Sequence, residues 1–138
     1  MTQKDKELLL KDLCARLPYR VKCRIKGERS KILIGIDPEG LLFRARTPDK
    51  SDWCYDSYDI EEWSILPYLR PMLSMTEDER KEYNDIVKNT IDFYDCQKSE
   101  KICFFIMPID WLNKHHFDYR GLIKKGLALE APEGMYEY

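Results

Sequence analysis

Residues 31–46 read Lys-Ile-Leu-Ile-Gly-Ile-Asp-Pro-Glu-Gly-Leu-Leu-Phe-Arg-Ala-Arg, two apolar runs on either side of a short polar segment. Proline presets the first backbone dihedral of a turn, and glycine accepts the positive φ that a tight turn needs. The runs 31–36 and 41–46 are therefore predicted to pair as a tight antiparallel hairpin. This hairpin decides the fold, because it makes the first half of the chain a sheet.

Other stretches are predicted to add strands to the hairpin. Residues 19–26 alternate between basic side chains and the apolar side chains of Tyr19, Val21, Cys23 and Ile25. That period of two predicts a half-buried strand that ends at Gly27. Residues 53–58 are predicted to form a further strand, and 60–63 a single helical turn that precedes an extended segment at 64–69.

Capping boxes mark the starts of two helices. Thr2 with Asp5, and Thr76 with Glu79, place a hydroxyl and a carboxylate three residues apart, a pattern in which each side chain bonds the backbone N–H of the other residue. Apolar residues then recur at helical spacing. Helices are therefore predicted from Thr2 to the stop at Pro18 and over residues 77–94.

Shorter elements are predicted after residue 100. The continuous apolar run 102–107 is long enough for a buried strand. Asp110 is expected to cap a short helix with the apolar residues Trp111, Leu112 and Phe117. A second short helix is predicted around Leu122 and Ile123 and would end at Gly126, followed by a tail at 132–138.

Length and composition set the fold class. With 138 residues, 43% of them hydrophobic, the chain can bury one core without a disulfide or a metal. We therefore predict a single α+β domain over residues 1–138. Residues 1–72 would form a small SH3-like barrel or rolled antiparallel sheet with an N-terminal helix, and residues 73–138 a mainly helical packing segment and tail.

Charge is distributed unevenly along the chain. The formal net charge of -2 excludes polybasic, histone-like proteins and acidic disordered tails. Residues 1–48 hold 12 basic and 6 acidic residues, whereas residues 49–100 hold 6 basic and 14 acidic ones. The sequence shows neither a secretory signal nor the roughly 20 apolar residues of a membrane helix, so a cytoplasmic location is expected.

Sequence patterns typical of enzymes and metal sites are absent. There is no Gly-x-Ser-x-Gly, no phosphate-binding glycine loop and no zincin motif. His115 and His116 are adjacent, so they would point to different faces of a helix and would not share an ion with Asp118. An odd number of cysteines without Cys-x-x-Cys argues against disulfides and zinc; they are Cys14, Cys23, Cys54, Cys96 and Cys103. We expect a non-catalytic protein without cofactor or metal.

Six basic residues are predicted to line one face of the sheet: Arg20, Lys22, Arg24, Lys26, Arg44 and Arg46. Clustered cations bind phosphates, which makes nucleic acid a candidate partner. The aromatic residues of the same strands, Tyr19 and Phe43, alternate onto the opposite face, so no stacking platform is expected beside the cations. Alternating cations are also the ordinary solvated face of an edge strand, so both interpretations stay open.

Acidic and aromatic residues are interleaved between residues 49 and 63. The candidate partner-binding residues there are Asp49, Asp52, Trp53, Tyr55, Asp56, Tyr58, Asp59 and Trp63. Aromatic side chains provide buried anchors in protein interfaces, and carboxylates steer a basic partner. The alternative is that the aromatic residues face the core while the acids stay in water. This stretch would repel a polyanion unless it lies on the other side of the domain.

Three segments resemble a family of small uncharacterised proteins from gut-bacterial genomes, their phages and mobile elements. They are residues 10–19 (Leu-Lys-Asp-Leu-Cys-Ala-Arg-Leu-Pro-Tyr), 67–77 (beginning Pro-Tyr-Leu-Arg-Pro-Met) and 110–136 (beginning Asp-Trp-Leu-Asn-Lys-His-His-Phe-Asp-Tyr-Arg-Gly). The resemblance covers about half of the chain. It implies no activity and assigns no catalytic or binding residue.

What the resemblance implies is a small phage or mobile-element accessory protein, a class whose members often bind a host or defence protein. We therefore expect a protein-interaction module, for example an inhibitor of a host or defence-system protein. Nucleic-acid binding through the basic face is the alternative.

Overall fold

The computed structural model describes residues 1–46, 49–96 and 101–136. An N-terminal helix, α1 (Gln3–Arg16), is followed by five strands, and two further helices lie in the C-terminal part. The strands form a six-stranded, mostly antiparallel sheet that curls into a half-barrel. The predicted α+β class with a rolled sheet is therefore confirmed.

The sheet has the strand order β4-β3-β2-β1-β5-β6. Its strands are β1 (Lys22–Ile25), β2 (Lys31–Asp37), β3 (Gly40–Arg46), β4 (Trp53–Tyr58), β5 (Ile65–Leu69) and β6 (Leu129–Glu130). Neighbours pair antiparallel except β5 and β6, which are parallel. Strand β4 is therefore one edge of the sheet, and the short β6 is the other.

The predicted hairpin is present as β2 and β3. Asp37 Oδ1 accepts hydrogen bonds from the backbone N–H groups of Glu39 at 2.8 Å and Gly40 at 3.0 Å, which closes the turn. Gly40 has a φ of 145°, and a Cβ added to it would lie 2.5 Å from the carbonyl oxygen of Tyr58. Glycine is therefore required here by a close approach of the β4 backbone as well as by its dihedral angle.

One face of the sheet packs against α1. The capping box of Thr2 and Asp5 forms as predicted, and the helix ends before a 3₁₀ turn at Leu17–Tyr19. Fully buried Leu9 and Leu13 of the helix join a core with apolar residues of the strands, among them Val21, Cys23, Ile25, Leu33, Phe43, Ile65 and Leu69. We call this the inner face of the sheet and the opposite one the outer face.

The predicted strand at 102–107 is wrong. These residues belong to α3 (Lys101–Lys114), which packs against α2 (Glu77–Cys96). A short, continuous apolar run fits a buried strand and a buried helix equally well, so its periodicity could not separate them. Asp110 consequently lies within α3 instead of capping a helix, and it accepts a hydrogen bond from the Tyr19 hydroxyl.

The predicted short helix around Leu122 and Ile123 is a turn. Leu127 N–H donates to the Leu122 carbonyl at 2.9 Å, and Gly126 has a φ of 73°. Asp118 holds the start of this turn, because its carboxylate accepts hydrogen bonds from the backbone N–H groups of Leu122 and Ile123. The chain then enters β6.

A second apolar cluster lies beside α2 and α3. It contains buried Trp111, Leu112 and Phe117, with Met75, Tyr83, Ile86 and Tyr119 packed against them. Phe117 lies beyond the end of α3, not within a helix as predicted. Among the residues that the structure describes, no helix is long and apolar enough to span a membrane.

Candidate functional site

The outer face combines cations with aromatic rings. Register fixes one row across four strands: Lys22 lies opposite Ile32, Ile32 opposite Arg44, and Arg44 opposite Tyr55. In the next row, Arg46 lies opposite Trp53. The Tyr55 side chain is 56% exposed.

Trp53 lies directly beside two of the predicted phosphate ligands. The guanidinium carbon of Arg46 is 4.0 Å from the centroid of the indole ring, and that of Arg44 is 4.5 Å away. Phe43 is buried on the inner face, as the alternation predicted. The expectation that no aromatic platform lies beside the cations is nevertheless wrong, because the platform comes from the neighbouring strand β4 and not from β1 or β3.

These residues border a groove of about 380 Å³. Its basic lining residues are Lys22, Arg29, Lys31, Arg44 and Arg46, and its apolar ones are Ile32, Ala45, Trp53 and Met135. Among the described residues of its lining, none is Asp or Glu. The groove is thus a positively charged recess with apolar walls.

Arg29 is held in place at this groove, whereas Arg44 carries a donor without a partner in the described part of the chain. Arg29 donates through Nη2 to the backbone carbonyl of Arg46 at 2.9 Å. The Nε of Arg44 is buried and has no hydrogen-bond partner among the described residues. An N–H in that state favours an incoming acceptor, since burial without a partner costs free energy.

The ammonium of Lys22 makes different contacts from the guanidinium groups of Arg44 and Arg46. Its ammonium donates to the Met135 carbonyl at 2.8 Å and lies 5.6 Å from the centre of the Tyr136 ring. Its backbone N–H donates to the Tyr136 hydroxyl, which in turn donates to the Tyr68 carbonyl. The C-terminal tail therefore joins β1 to β5 and forms one wall of the groove.

The other three predicted phosphate ligands are spread out. Arg24 is exposed on the outer face of β1. Arg20 precedes the strand in a left-handed conformation, with φ 55°, so its predicted place in the strand alternation is wrong. Lys26 follows β1 and is exposed. The structure brings together Lys22, Arg44 and Arg46, and adds Arg29.

The acidic and aromatic candidates lie on two faces of β4 and in the adjoining loops. Tyr58 is buried in the core and makes edge-to-face contacts with Phe43 and with Trp63, which is 38% exposed. Asp56 points to the inner side, where it forms an ion pair with Lys31 at 2.7 Å. Of the eight candidates, Trp53 and Tyr55 belong to the outer face.

The loop carboxylates bond the backbone nearby. Asp49 accepts hydrogen bonds from the N–H and hydroxyl of Ser51, Asp52 from the N–H of Trp53, and Asp59 from the N–H of Glu61. The bonds of Asp49 and Asp59, each to an N–H two residues further on, are typical of Asx turns. The three carboxylates thus shape the ends of β4.

Lys31 lines the groove and also pairs with Asp56 of β4. Burial works to lower the pKa of Lys31, but hydrogen bonds to Asp56 and Tyr58 outweigh burial, and the pKa is raised above its usual value. The ammonium therefore stays charged and compensates Asp56.

A second, larger cleft of about 1030 Å³ lies between the start of α2, the end of α3 and the tail. Arg70 forms two hydrogen bonds to Glu79, at 2.8 and 2.7 Å, and these lower the pKa of Glu79 to about 2. Glu82, Lys114 and Glu133 also line it. Its lining carries charges of both signs, so it favours no single ligand chemistry.

Both histidines lie at this cleft and are buried. Burial lowers the pKa of His116 to about 4, and its ring stacks on Tyr136 with centroids 3.7 Å apart. Burial also lowers the pKa of His115, whose ring stacks on Trp111. Within the described part of the chain, no three His, Cys, Asp or Glu residues are grouped as metal ligands.

The structure describes the side chains of three cysteines, Cys14, Cys23 and Cys54. Burial raises the pKa of Cys23, and Cys54 Sγ donates to the Ala45 carbonyl at 3.3 Å. Cys14 is exposed on α1. The side chains of Cys96 and Cys103 lie outside the described residues.

Sequence reasoning missed Arg29, Ile32, Met135 and Tyr136 as groove and tail residues. Arg29 lies in a loop and the tail residues are more than 100 positions from β1, so no local period links them. The basic character of residues 20–31 was the one signal that could have included Arg29. In comparisons with known proteins, no protein family, no curated protein and no solved structure matches this chain.

Proposed function

We propose that the protein binds single-stranded nucleic acid through the outer face of its sheet, as a non-catalytic accessory protein. The main support is the position of Trp53 beside Arg44 and Arg46. Proteins that bind single strands combine cations for the backbone with aromatic rings for the bases, and both are present on this face.

The segregation of charge supports the same proposal. In the sequence, the acidic stretch 49–63 argues against binding of a polyanion unless it lies away from the basic face. Asp56 is paired with Lys31 on the inner side, and Glu61 pairs with Lys6 of α1. Each of these two carboxylates has a cation beside it, so its repulsion of a phosphate chain is reduced.

A salt titration tests this proposal. Binding of a fluorescent dT12 oligonucleotide should weaken as salt rises, with a log-log slope of about -0.7 for each phosphate neutralised. Arg44→Gln with Arg46→Gln should flatten that slope by about 1 to 1.5. A duplex of the same length should bind more weakly, because its bases cannot reach Tyr55 or Trp53.

The matched control is Lys124→Gln with Lys125→Gln, which changes net charge equally at an exposed turn away from the groove. The control should keep the wild-type slope. An equal loss of binding in both double variants would mean that only net charge matters. Absence of binding at low salt would overturn the proposal.

A second candidate function is the protein interaction expected from residues 49–63. Strand β4 has no neighbour on its outer edge in the described part of the sheet. An unpaired edge can accept an extended segment of a partner, and the surrounding carboxylates would favour a basic one. Here the partner would be a host or defence protein.

Affinity capture with nuclease-treated lysate separates this candidate from the first. A protein partner should be retained by the wild type, lost with Tyr55→Lys and kept with Leu73→Lys, a control at a residue 94% exposed elsewhere. Retention of the same partner by Tyr55→Lys would exclude the β4 edge as the contact.

A further inference from the structure

The groove of about 380 Å³ has room for one small ligand beside the sheet. Pockets for small molecules range from roughly 300 to 1,000 Å³, so this volume suits a single unit and not a length of strand. Its walls are apolar at Ile32, Trp53 and Met135. Apolar walls with an indole ring favour a flat, aromatic part of a ligand.

The rim of the groove favours a phosphate. Guanidinium groups over an aromatic ring keep their N–H donors in the plane of the group, where a phosphate can accept two at once. Arg44 and Arg46 lie over Trp53, and Arg29, which donates to the Arg46 carbonyl, lines the same groove.

Lys22 is expected not to contribute to phosphate binding. Its ammonium is already bound by the Met135 carbonyl and lies near the Tyr136 ring. It therefore serves the wall of the groove, and phosphate recognition falls to the arginines. This assignment separates Lys22 from Arg44 although both lie in one cross-strand row.

We infer that the groove is a nucleotide pocket, which takes one base against its apolar wall and the attached phosphate on Arg44, Arg46 and Arg29. The inference rests on the proposed function, since it names the unit recognised on the outer face. The same chemistry belongs to a free nucleotide and to one nucleotide of a strand. The carboxylates of an acidic peptide would pair with the arginines, but such a peptide has no flat ring to pack against the apolar wall.

Calorimetry on the full chain tests the pocket with adenosine and cytidine 5′-monophosphates, the two nucleosides, inorganic phosphate and a hexaglutamate peptide. Both nucleotides should bind and should displace labelled dT12. The nucleosides and phosphate should bind at least about tenfold more weakly, because each supplies half of the contacts. Arg44→Gln and Arg46→Gln should each weaken nucleotide binding by about tenfold, whereas Lys124→Gln, at an exposed turn away from the groove, should change it less than about twofold.

The outcomes separate the pocket from the proposed function. Binding of dT12 without binding or competition by either nucleotide overturns the pocket and leaves the proposed function intact. Nucleotide binding without dT12 binding supports the pocket, identifies a free nucleotide as its ligand and overturns the proposed function. Tighter binding of hexaglutamate through the same arginines overturns both. Circular dichroism of each variant verifies that the fold is retained, and Trp53→Phe serves as a variant that keeps a ring in place.

Discussion

Asp12 and Arg16 form an ion pair that is fully buried between α1 and the C-terminal segment. Arg16 bonds both carboxylate oxygens of Asp12, at 2.8 and 3.1 Å, and donates to the Phe117 carbonyl at 2.7 Å. Arg120 approaches the same carboxylate at 3.4 Å. The carboxylate of Asp12 is thus the counter-charge of two guanidinium groups, those of Arg16 and Arg120.

We predict that Asp12→Asn lowers the free energy of unfolding by about 3 to 5 kcal/mol, because it leaves Arg16 buried without a counter-charge. Urea unfolding measures the change. The exposed neighbour Lys11 gives the control Lys11→Gln, expected within about 0.5 kcal/mol of the wild type. Asp12→Leu combined with Arg16→Met should lose less than Asp12→Asn, since the fully buried Arg16 charge is removed together with its partner and the remaining cation, Arg120, is partly exposed to water. A smaller loss in the single variant would contradict this account.

His116 makes stability depend on pH. Its pKa is lowered to about 4 by burial. The unfolded chain therefore binds a proton at this histidine near pH 6.5, whereas the folded chain binds it only near pH 4. Stability is therefore complete above about pH 6.5 and falls as the pH drops towards 4, by up to about 3 kcal/mol. Urea unfolding between pH 7 and 4.5 should show this loss.

The control for that measurement is His116→Asn, because asparagine tolerates the left-handed backbone, with φ 62°, at this position. The variant should be less stable at pH 7 but should depend less on pH. Glu79, whose pKa is about 2, acts in a different window: its contribution is lost only below about pH 4.5. An unchanged pH profile in the variant would rule out His116 as the cause.

At the scale of elements, two glycines with positive φ have different reasons to be glycine. A Cβ on Gly40 would lie 2.5 and 2.8 Å from the carbonyl atoms of Tyr58, whereas a Cβ on Gly27 would meet no atom within 4 Å. The first position lies at the turn between β2 and β3, against the end of β4, and the second follows β1.

We predict that Gly27→Ala costs about 1 to 2 kcal/mol, the strain of an L residue in this backbone region. Gly40→Ala should cost at least about 1 kcal/mol more, because the clash is with backbone that cannot rotate away. Both values come from urea unfolding of the two variants. Equal losses would show that the approach of β4 is not what requires glycine at position 40.

Helix α3 shows why an element's type was predicted wrongly while α2 was predicted correctly. Helix α2 begins at a capping box, in which Thr76 and Glu79 bond each other's backbone N–H groups, and its apolar residues recur at helical spacing. The run 102–107 has neither a capping box at its start nor apolar residues that recur at helical spacing. Its conformation follows from packing against α2, which local sequence does not report.

At the scale of the whole molecule, the two apolar clusters are joined through the C-terminal segment. Leu122, Leu127 and Ala128 belong to the cluster between α1 and the sheet, whereas Phe117 belongs to the cluster of α2 and α3. Phe117 also receives the hydrogen bond from Arg16. Neither cluster can lose this segment without exposing apolar surface.

We therefore predict a single cooperative unfolding transition, as expected of one domain. Far-ultraviolet circular dichroism would follow the whole chain, and fluorescence of Trp111 in a Trp53→Phe, Trp63→Phe variant would follow the second cluster. The two urea midpoints should coincide. An earlier midpoint for Trp111 would mean that the C-terminal part unfolds on its own.

Local sequence determined the hairpin, the two capped helices and the inward apolar residues of the strands. These features depend on neighbours a few positions apart, where backbone dihedrals and side-chain period act directly. The basic character of Arg44 and Arg46 was equally visible, as was the acidic character of residues 49–63.

Tertiary structure alone decided which of these residues meet. Trp53 reaches Arg44 and Arg46 because β4 pairs with β3 in one register, and Lys22 is bound by Met135 because the tail returns to β1. From the sequence alone, no aromatic ring was expected beside the basic residues of the outer face. The aromatic residues of 49–63 were grouped only with the acidic residues around them. Cross-strand and long-range contacts form between residues far apart in the chain, so no periodicity within a segment encodes them.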